Sequence, residues 1–386
     1  MPQHSEPCDI DLIEFLGPFA DLEDPRKSPA TRHLFDEMLF IALAAVLAGA
    51  EGFVDMVNFA KSKEDWLRSF LKLPKGIPSH DAFGDLFALL DPEAFNSAFV
   101  DWTSGLREAV SQEVIAFDGK TMRGSHDRAT GKKMVHTVSA WATSNRLVLG
   151  QIATEEKSNE ITAIPKLLKL LHLEGCVVTI DAMGTQKTIV AEIIDQKADY
   201  LLSLKENHET FYDEVKELLQ DPQTLKDLNK QGAPLDIHTT EVEKNRGRLE
   251  KRSCVVLEKT DWFREEWQWA GLKSLVMIER HRKDVHEEQW SLERHFYISS
   301  LPADATSILQ MTRHHWGVEN SLHWVLDVTY HEDASRIRKG HAASNLSTLR
   351  KWTLNLFEKA PGNQSIRQKQ KKAGWDHKYL LKILQS

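Results

Sequence analysis

Val114-Ile115-Ala116-Phe117-Asp118 is a short apolar run that ends in a carboxylate, and Cys176-Val177-Val178-Thr179-Ile180-Asp181 has the same form. Each run predicts a buried strand. Sites in open α/β folds lie at the carboxyl ends of sheet strands, so Asp118 and Asp181 are expected to meet at one edge of a sheet. Two neighbouring carboxylates can share divalent ions, and hard oxygen ligands suit Mg²⁺ or Mn²⁺. Taken singly, either aspartate is also typical of a turn or a helix cap, so the pair carries the prediction.

The segments around these runs alternate between strand and helix patterns. Strands are predicted at 134–143 and 146–154 with a turn at 144–145, a helix at 161–171, a helix at 184–196 and a strand at 200–204. This order predicts a mixed α/β sheet covered by helices. From 205 to 302 a β-rich insertion is predicted, with strand-like runs at 237–242, 249–257, 274–279 and 290–298. The helical pattern resumes at Ala305 and continues through Glu319 towards Leu326.

The first 110 residues have the apolar spacing and the breakers of a helical region. Ser79, which follows Pro78, is a predicted helix cap. A short turn followed by a capped helix would suit a helix-turn-helix reader of DNA. The alternative, which the acidic composition of the region favours, is a helical domain that packs on a catalytic core or on a partner subunit.

Charge is distributed unevenly along a chain whose net charge is −8. Residues 1–110 contain 9 Lys and Arg against 19 Asp and Glu, and residues 336–386 contain 12 against 2. The second segment predicts a basic surface that could follow phosphates, although a solvated helix face would have the same composition. Residues 362–372, polar and basic, are predicted to be a flexible linker before a last short helix.

Bulk composition is that of a soluble globular protein. The first twenty residues contain four acidic side chains, which is unlike a secretory signal. The longest apolar run, 38–50, is too short for a membrane span. Three scattered cysteines form neither a disulfide framework nor a zinc motif. These features predict a cytoplasmic protein with no membrane partner.

A third carboxylate, Glu319, lies in a predicted helix between two histidines. His315, Glu319 and His323 are spaced at i, i+4 and i+8 and would share one face. Such a face could bind zinc, but no further strong ligand lies at the spacing of a zinc motif. A solvated polar face opposite Trp316 and Leu322 is the other alternative.

Four segments resemble one known family. They are Ala116-Phe117-Asp118-Gly119-Lys120-Thr121-Met122-Arg123, Thr179-Ile180-Asp181-Ala182-Met183-Gly184-Thr185-Gln186, Asn245-Arg246-Gly247-Arg248-Leu249-Glu250-Lys251-Arg252, and the stretch from Arg313-His314-His315-Trp316 through Glu319-Asn320 and Leu322-His323-Trp324 to Glu332-Asp333, Arg336 and Arg338. In order and spacing, over nearly the whole chain, they resemble the insertion-sequence transposases of the DDE type. The resemblance is to the ISAs-type group that includes the H-repeat-associated proteins.

The resemblance implies an α/β fold with a ribonuclease H-like catalytic core at 111–350. Its β-rich insertion would be 205–302, an all-helical N-terminal domain would occupy 1–110, and 351–386 would be a basic C-terminal tail. It also implies a DNA transposase that cuts transposon ends and joins them to target DNA with two metal ions, Mg²⁺ or Mn²⁺. Asp118 would bridge the ions, Asp181 would hold one and Glu319 the other. Double-stranded DNA, as terminal inverted repeats and as target, would be the partner of a homodimer formed on DNA.

The resemblance also implies roles for residues around the triad. Asn320 and His323 would orient Glu319. Phosphate contacts are predicted for the basic residues beside the motifs, namely Lys120, Arg123, Lys205, Arg246, Arg248, Arg313, Arg336 and Arg338. For any one of them, surface solubility is the alternative. Trp316 and Trp324 could stack on an unpaired base, or pack in the core.

The chain departs from the better-known related transposases at four places. Thr312, His315 and Leu326 stand where those enzymes have a phosphate-contacting Tyr, Arg and Lys, and Thr185 stands where the family often has Cys. The phosphate-contacting set therefore cannot be transferred. Three other functions stay open: a DNA-binding remnant without catalysis, a metal-dependent nuclease that does not join strands, and an interaction scaffold. Strand transfer into a target plasmid would separate a transposase from a nuclease.

Overall fold

One mixed sheet organises the structure, a computed structural model that describes residues 17–19, 22–27, 31–108, 110–126, 131, 133–154, 160–245, 247–258 and 269–385. Within this part of the chain the sheet has ten strands. They are β1 (Val114–Thr121), β2 (His136–Ala142), β3 (Leu147–Thr154), β4 (Val177–Ile180), β5 (Asp199–Leu204), β6 (Leu235–Thr239), β7 (Glu243–Asn245), β8 (Arg248–Leu257), β9 (Ser274–Asp284) and β10 (Ser291–Ser299). The mixed α/β sheet predicted from the strand and helix patterns is confirmed.

Strand order places the two aspartate-bearing segments at the centre of the sheet. The order is β3-β2-β1-β4-β5-β10-β9-β8-β6, with β7 paired to β8. β1, β4 and β5 are parallel neighbours, whereas β2 runs antiparallel to β1 and β10 antiparallel to β5. The predicted β-rich insertion therefore does not form a separate sheet. Its strands continue the hydrogen-bonded ladder outward from β5, with Phe296 opposite Leu204.

Helices cover both faces of the sheet. They are α1 (Phe35–Leu47), α2 (Phe53–Ser62), α3 (Glu64–Leu67), α4 (His80–Leu89), α5 (Pro92–Leu106), α6 (Glu160–Leu170), α7 (Lys187–Asp195), α8 (Glu209–Gln220), α9 (Pro222–Lys230), α10 (Ala305–His315), α11 (Trp324–Val328), α12 (Ala342–Lys359), α13 (Ile366–Trp375) and α14 (His377–Leu384). Ser79 accepts a hydrogen bond from the Ala82 amide at 3.2 Å, which confirms the predicted start of α4. No helix in the described ranges is both long and apolar enough to cross a membrane.

The first and last helices share one apolar core. α1 is buried from Glu37 to Leu47 and contacts α12, α13 and α14. Trp352 of α12 stacks on Phe19 with ring centroids 3.9 Å apart. The N-terminal helices therefore pack on the C-terminal part of the chain. Such packing agrees with a helical domain that packs on the rest of the protein, the alternative to a helix-turn-helix reader of DNA.

The C-terminal region differs from its prediction. Residues 362–372 were expected to be a flexible linker, but α13 occupies most of that stretch. Its first turn is closed by a capping box, in which Ser365 and Gln368 each bind the other's backbone amide. Its inner face is buried at Lys369 and Ala373. Part of the predicted basic surface is internal as well, because the side chains of Lys369, Arg350 and Lys351 are buried.

Lys369 closes the end of α12. Its Nζ donates hydrogen bonds to the carbonyl oxygens of Phe357 and Ala360, both at 2.7 Å. Lys369→Met should leave these buried carbonyls without a partner, and we expect the free energy of unfolding to fall by about 1.5–3 kcal/mol. Urea denaturation measures the change, with Lys371→Met as the control because Lys371 is exposed on the same helix. Equal stability of the two variants would contradict the capping role.

Candidate active site

Asp118 lies where parallel pairing in the sheet ends. The last parallel pair between β1 and β4 is Phe117 with Ile180. β1 was predicted to end at Asp118, but it continues to Thr121. It does so because β2 still pairs with it, with Ser139 opposite Asp118. Asp118 therefore has β2 on one side and an open position on the other.

Asp181 follows β4 directly and occupies the neighbouring position at the same edge. Its Oδ1 accepts a hydrogen bond from the Ala182 amide at 2.7 Å, which starts a short 3₁₀ turn. The Nζ of Lys205, which follows β5, donates to the same oxygen at 3.0 Å. The two aspartates are thus brought together as their strand positions predicted.

Glu319 enters the site from an irregular helical segment. The chain stays helical through Glu319 to Leu326 as predicted, but irregularly: α10 ends at His315, and a π-helical turn spans Glu319–His323 before α11. His315 Nδ1 contacts Thr179 Oγ1 of β4 at 2.9 Å, and His323 Nδ1 lies 3.6 Å from Asp118 Oδ2. The turn carrying Glu319 is therefore anchored to the strands of both aspartates. π-Helical turns of this kind are frequent at functional sites.

The three carboxylates line one cleft. Asp118, Asp181 and Glu319 surround a cavity of about 160 Å³, together with Lys205, His295, Tyr297, His315 and Trp316 among others. Among the described residues, no three His, Cys, Asp or Glu side chains are grouped closely enough to hold one ion. This applies to His315, Glu319 and His323, the zinc alternative, and equally to the three carboxylates of the cleft. Each histidine is instead directed at a neighbouring strand.

The two aspartates have opposite electrostatic environments. Burial raises the pKa of Asp118 to about 7, against a hydrogen bond from the Gly119 amide. The carboxylates of Glu160, Glu319 and Asp181 act in the same direction as burial. Burial also opposes ionisation of Asp181, but its hydrogen bonds from the Ala182 amide and Lys205 hold the pKa below the usual value. Of the two aspartates, Asp118 is therefore the one whose ionisation a nearby positive charge would favour more.

Both histidines are neutral at pH 7. Burial lowers the pKa of His315 to about 4, and the nearby Asp181 does not reverse the effect. Burial likewise lowers the pKa of His323 to about 4, with Lys351 and Lys120 contributing. Neither imidazole therefore neutralises the cleft, and both serve as neutral contacts between Glu319's segment and the sheet.

Glu160 is an acidic neighbour of Asp118 that the sequence did not single out. It begins α6, and its Oε1 lies 2.6 Å from His136 Nε2. A Cβ on Gly119 would lie 2.3 Å from that Oε1 and 2.6 Å from the His136 nitrogen. Glycine after Asp118 thus allows the pair to approach the backbone. Glu160 follows no recognisable motif, and only the packing of α6 brings it to this place.

Lys120 has a different position from the one predicted. Its side chain is buried, and its Nζ lies 2.6 Å from Asp327, 3.0 Å from Asp333 and 3.6 Å from Glu332. An ammonium enclosed by three carboxylates is not placed to meet a DNA phosphate, which corrects the predicted contact. Lys120 instead joins β1, which carries Asp118, to the segment that follows Glu319.

The other predicted phosphate contacts lie on the surface, mostly in ion pairs. Lys205 and Arg313 are close to the cleft; Lys205 binds Asp181, and Arg313 binds both oxygens of Glu243 at 2.9 and 3.0 Å. Of the rest, Arg123 pairs with Asp333 and Arg248 with Asp284, each at 3.3 Å. Arg338 donates a hydrogen bond to the Gly124 carbonyl, and Arg336 is exposed. Arg246 lies outside the described residues.

The residues predicted to support Glu319 behave differently from one another. Asn320 is exposed and donates to the Trp316 carbonyl at 3.4 Å, so no contact with Glu319 is seen. His323 approaches Asp118 rather than Glu319. Trp316 is 50% exposed and Trp324 58% exposed, which leaves both indole faces available for stacking rather than core packing.

Two family models match the chain. The family model described as "Transposase DDE domain" matches residues 110–356, and the one described as "DDE_Tnp_1-associated" matches 16–103. The chain is 37% identical to "Putative transposase YncI" of Escherichia coli O157:H7, over 97% of this chain and 94% of that protein. It is 34% identical to "H repeat-associated putative transposase YhhI" of Escherichia coli K12, over 97% and 98%.

One solved structure shows a distant likeness. It is a cryo-EM structure of the piggyBac transposase synaptic complex with hairpin DNA, at 10% identity and a TM-score of 0.45. The match covers 98% of this chain and 80% of that one. A likeness at this level adds nothing to the argument from the carboxylates and the family models.

Proposed function

The chain belongs to the transposase DDE family, and from that premise we propose that it cuts DNA at the ends of a mobile element and joins them to target DNA. The observation that carries the proposal is the common cleft of Asp118, Asp181 and Glu319, which come from three separate elements. Strands β3-β2-β1-β4-β5, with β2 antiparallel to its neighbours, would be a ribonuclease H-like core. β6 to β10 would be its insertion.

The donor set of the cleft fits a divalent cation. Carboxylate oxygens are the ligands that Mg²⁺ and Mn²⁺ prefer, and three carboxylates supply them here. Burial and the neighbouring carboxylates oppose ionisation of Asp118, and a cation in the cleft would favour it, because Lys205 is bound to Asp181 and both histidines are neutral. Divalent ions held by Asp118, Asp181 and Glu319 would activate a water or a 3′-hydroxyl and stabilise the leaving 3′-oxygen.

The chain's own residues would position the DNA strand around that centre. Lys205, at the rim of the cleft, is half exposed and can exchange Asp181 for a backbone phosphate. Trp316 is exposed beside Glu319 and offers a flat surface to a base displaced at the cut. His315 and His323, held neutral, would keep Glu319's turn against β4 and β1 while the strand enters.

Two transposon ends must be handled together, which favours a homodimer assembled on DNA. Terminal inverted repeats and target DNA would be its partners, and the cytoplasm of a bacterium the place of action. The dimer follows from the chemistry of joining two ends. Cross-linking of the protein on DNA with one end and with paired ends would test the dimer.

The decisive experiment is cleavage and joining by the full chain. Labelled DNA with the ends of the element that encodes it would be mixed with a supercoiled plasmid, in Mg²⁺ or in EDTA. Cutting and joining that require Mg²⁺ are expected. Cutting without joining would make the protein a nuclease, and binding without cutting would make it an inactive DNA-binding protein. Binding that is indifferent to Mg²⁺, with no cutting, would also suit a scaffold.

Mg²⁺ should stabilise the protein in a pH-dependent way. The folded-state pKa of Asp118, about 7, lies above its ordinary value of 3.8, so the carboxyl is protonated in the fold below pH 7 and its contribution to stability falls as pH rises towards 7. A metal needs the ionised form, so Mg²⁺ binding releases a proton. We expect a larger rise in unfolding temperature at pH 8 than at pH 6, with about 2.7 kcal/mol of stabilisation at 100 times Kd.

Calorimetry with and without Mg²⁺ at the two pH values measures this effect. Asp118→Asn is the control, because an amide does not titrate, and its response to Mg²⁺ should be small and equal at both pH values. An equal rise for the wild type at pH 6 and pH 8 would contradict the role of Asp118 as a metal ligand.

A further inference from the structure

A second cavity adjoins the carboxylate cleft on the insertion strands. It has a volume of about 330 Å³. Its lining includes Arg252 of β8, Arg280 of β9 and Arg313 of α10. His295, Tyr297, Thr312 and Trp316 line both cavities, so the two are neighbours. We call the second cavity the arginine pocket.

Two of the arginines oppose each other directly in the sheet. Arg252 pairs with Arg280 across the β8–β9 ladder, and Arg280 pairs with Glu293 across β9–β10. Side chains of directly opposed residues lie on one face, and like charges in such positions destabilise a sheet. The pKa of Arg252 is lowered, mainly by burial. Glu250 acts to raise this pKa, whereas the positive charges of Arg313 and Arg280 lower it further.

The carboxylates around the pocket each hold one arginine at its edge. Arg252 binds Glu250, Arg280 binds Glu293 and Arg313 binds Glu243. Among the described residues, Arg280 Nε is buried without a hydrogen-bond partner. Burial and the nearby Arg280 also lower the pKa of His295, so this residue adds no charge at pH 7. The pocket thus has three fixed guanidinium groups and a donor without an acceptor.

We infer that the arginine pocket binds a backbone phosphate of the DNA strand that is cut. This inference rests on the proposed function, which makes DNA the ligand; planar guanidinium groups are suited to phosphate oxygens. β10 links the two sites: Tyr297 lines the cleft, and the row of Arg280 and Glu293 lies four residues away, about 13 Å along the strand. At about 3.4 Å per base pair, the bound phosphate lies within roughly four nucleotides of the scissile bond.

The test is DNA binding in EDTA, measured by fluorescence anisotropy over a range of salt concentrations. The full-length wild type is compared with Arg252→Gln and Arg280→Gln. Arg294→Gln is the matched control, because Arg294 lies on the opposite face of the same sheet and binds Glu279 at 2.8 Å. Each pocket variant should bind about tenfold more weakly, as for one lost charged hydrogen bond, and the control should bind as wild type. The salt slope of each pocket variant should fall by about 1.

A second arm locates the phosphate. Duplexes carry one neutral methylphosphonate at each of five positions on either side of the cut bond. One position should weaken wild-type binding and have no further effect on Arg280→Gln. The unfolding temperatures of the pocket variants should stay unchanged or rise, because like-charge repulsion is relieved.

The inference is overturned if the pocket variants bind as Arg294→Gln does, if no methylphosphonate position loses its effect in Arg280→Gln, or if affinity and unfolding temperature fall together. Since binding is measured without Mg²⁺, the outcome is independent of catalysis. A wild type that binds through this phosphate contact but does not cut DNA would count against the proposed function and support phosphate binding in the arginine pocket.

Discussion

Replacing Glu319 with glutamine is expected to slow DNA cleavage by a factor on the order of 10³ or more, with DNA affinity close to that of the wild type. The amide keeps the size of the side chain but loses the anionic oxygen that Glu319 would contribute to a cation. Asp118→Asn and Asp181→Asn should have effects of the same order, because the three side chains line one cavity. The measurement is the single-turnover rate of cutting, beside the dissociation constant in EDTA.

Glu217→Gln is the control for this series. Glu217 is exposed on α8, which packs on the face of the sheet opposite α10. Full activity in Glu319→Gln would move the third carboxylate elsewhere. Glu160 would then be the first residue to change, because it acts on Asp118 directly. Asp327 would come after it, since its carboxylate is bound to Lys120 at 2.6 Å.

Glu332→Gln is expected to be the most destabilising of the substitutions considered. Glu332 is fully buried, 3.6 Å from both Lys120 and Arg350. Lys120 would keep Asp327 and Asp333, but the buried Arg350 would lose its ion pair, which costs about 3–5 kcal/mol. Burial opposes ionisation of Glu332, but Lys351, Arg350 and Lys120 hold its pKa below 4.5. Its contribution is therefore present above the unfolded pKa and is lost as pH falls through the folded one.

Urea denaturation at pH 7 measures the loss. The control is Asp284→Asn, which breaks the exposed pair with Arg248 and should change stability by less than about 1 kcal/mol. A double variant, Glu332→Leu with Arg350→Met, should recover part of the loss, since a buried pair is often replaceable as a whole by apolar side chains. A double variant less stable than Glu332→Gln would mean that packing, rather than charge, governs this site.

The positions of Asp118 and Asp181 could be predicted because an apolar run followed by a carboxylate is a local pattern. The continuation of β1 past Asp118 could not be predicted, because Gly119 and Lys120 are poor strand formers and only their pairing with β2 keeps them extended. Lysine is seldom buried, so the sequence predicts an exposed Lys120 that could contact a phosphate. One of its partners, Asp333, lies 213 residues further along the chain.

Two helical features differ in how far the sequence could have shown them. The π-helical turn at Glu319 leaves no mark in the apolar spacing, since it depends on His315 and His323 meeting different strands. The start of α13 could have been predicted, because Ser365-Ile366-Arg367-Gln368 has the spacing of a capping box. There the basic composition of 362–372 outweighed a short local signal, and the predicted linker was wrong.

The shared core of the first and last helices bears on how the protein is made. Synthesis delivers α1 early, and domains ordinarily begin to fold from the N-terminus as they emerge. Here Met38–Leu47 must wait for α12, α13 and α14 before its apolar surface is covered. A ribosome that stops a few dozen codons short would release Asp118, Asp181 and Glu319 in a chain that cannot close its core. Late frameshifts would therefore inactivate a copy of the gene through aggregation and proteolysis, with its chemistry intact.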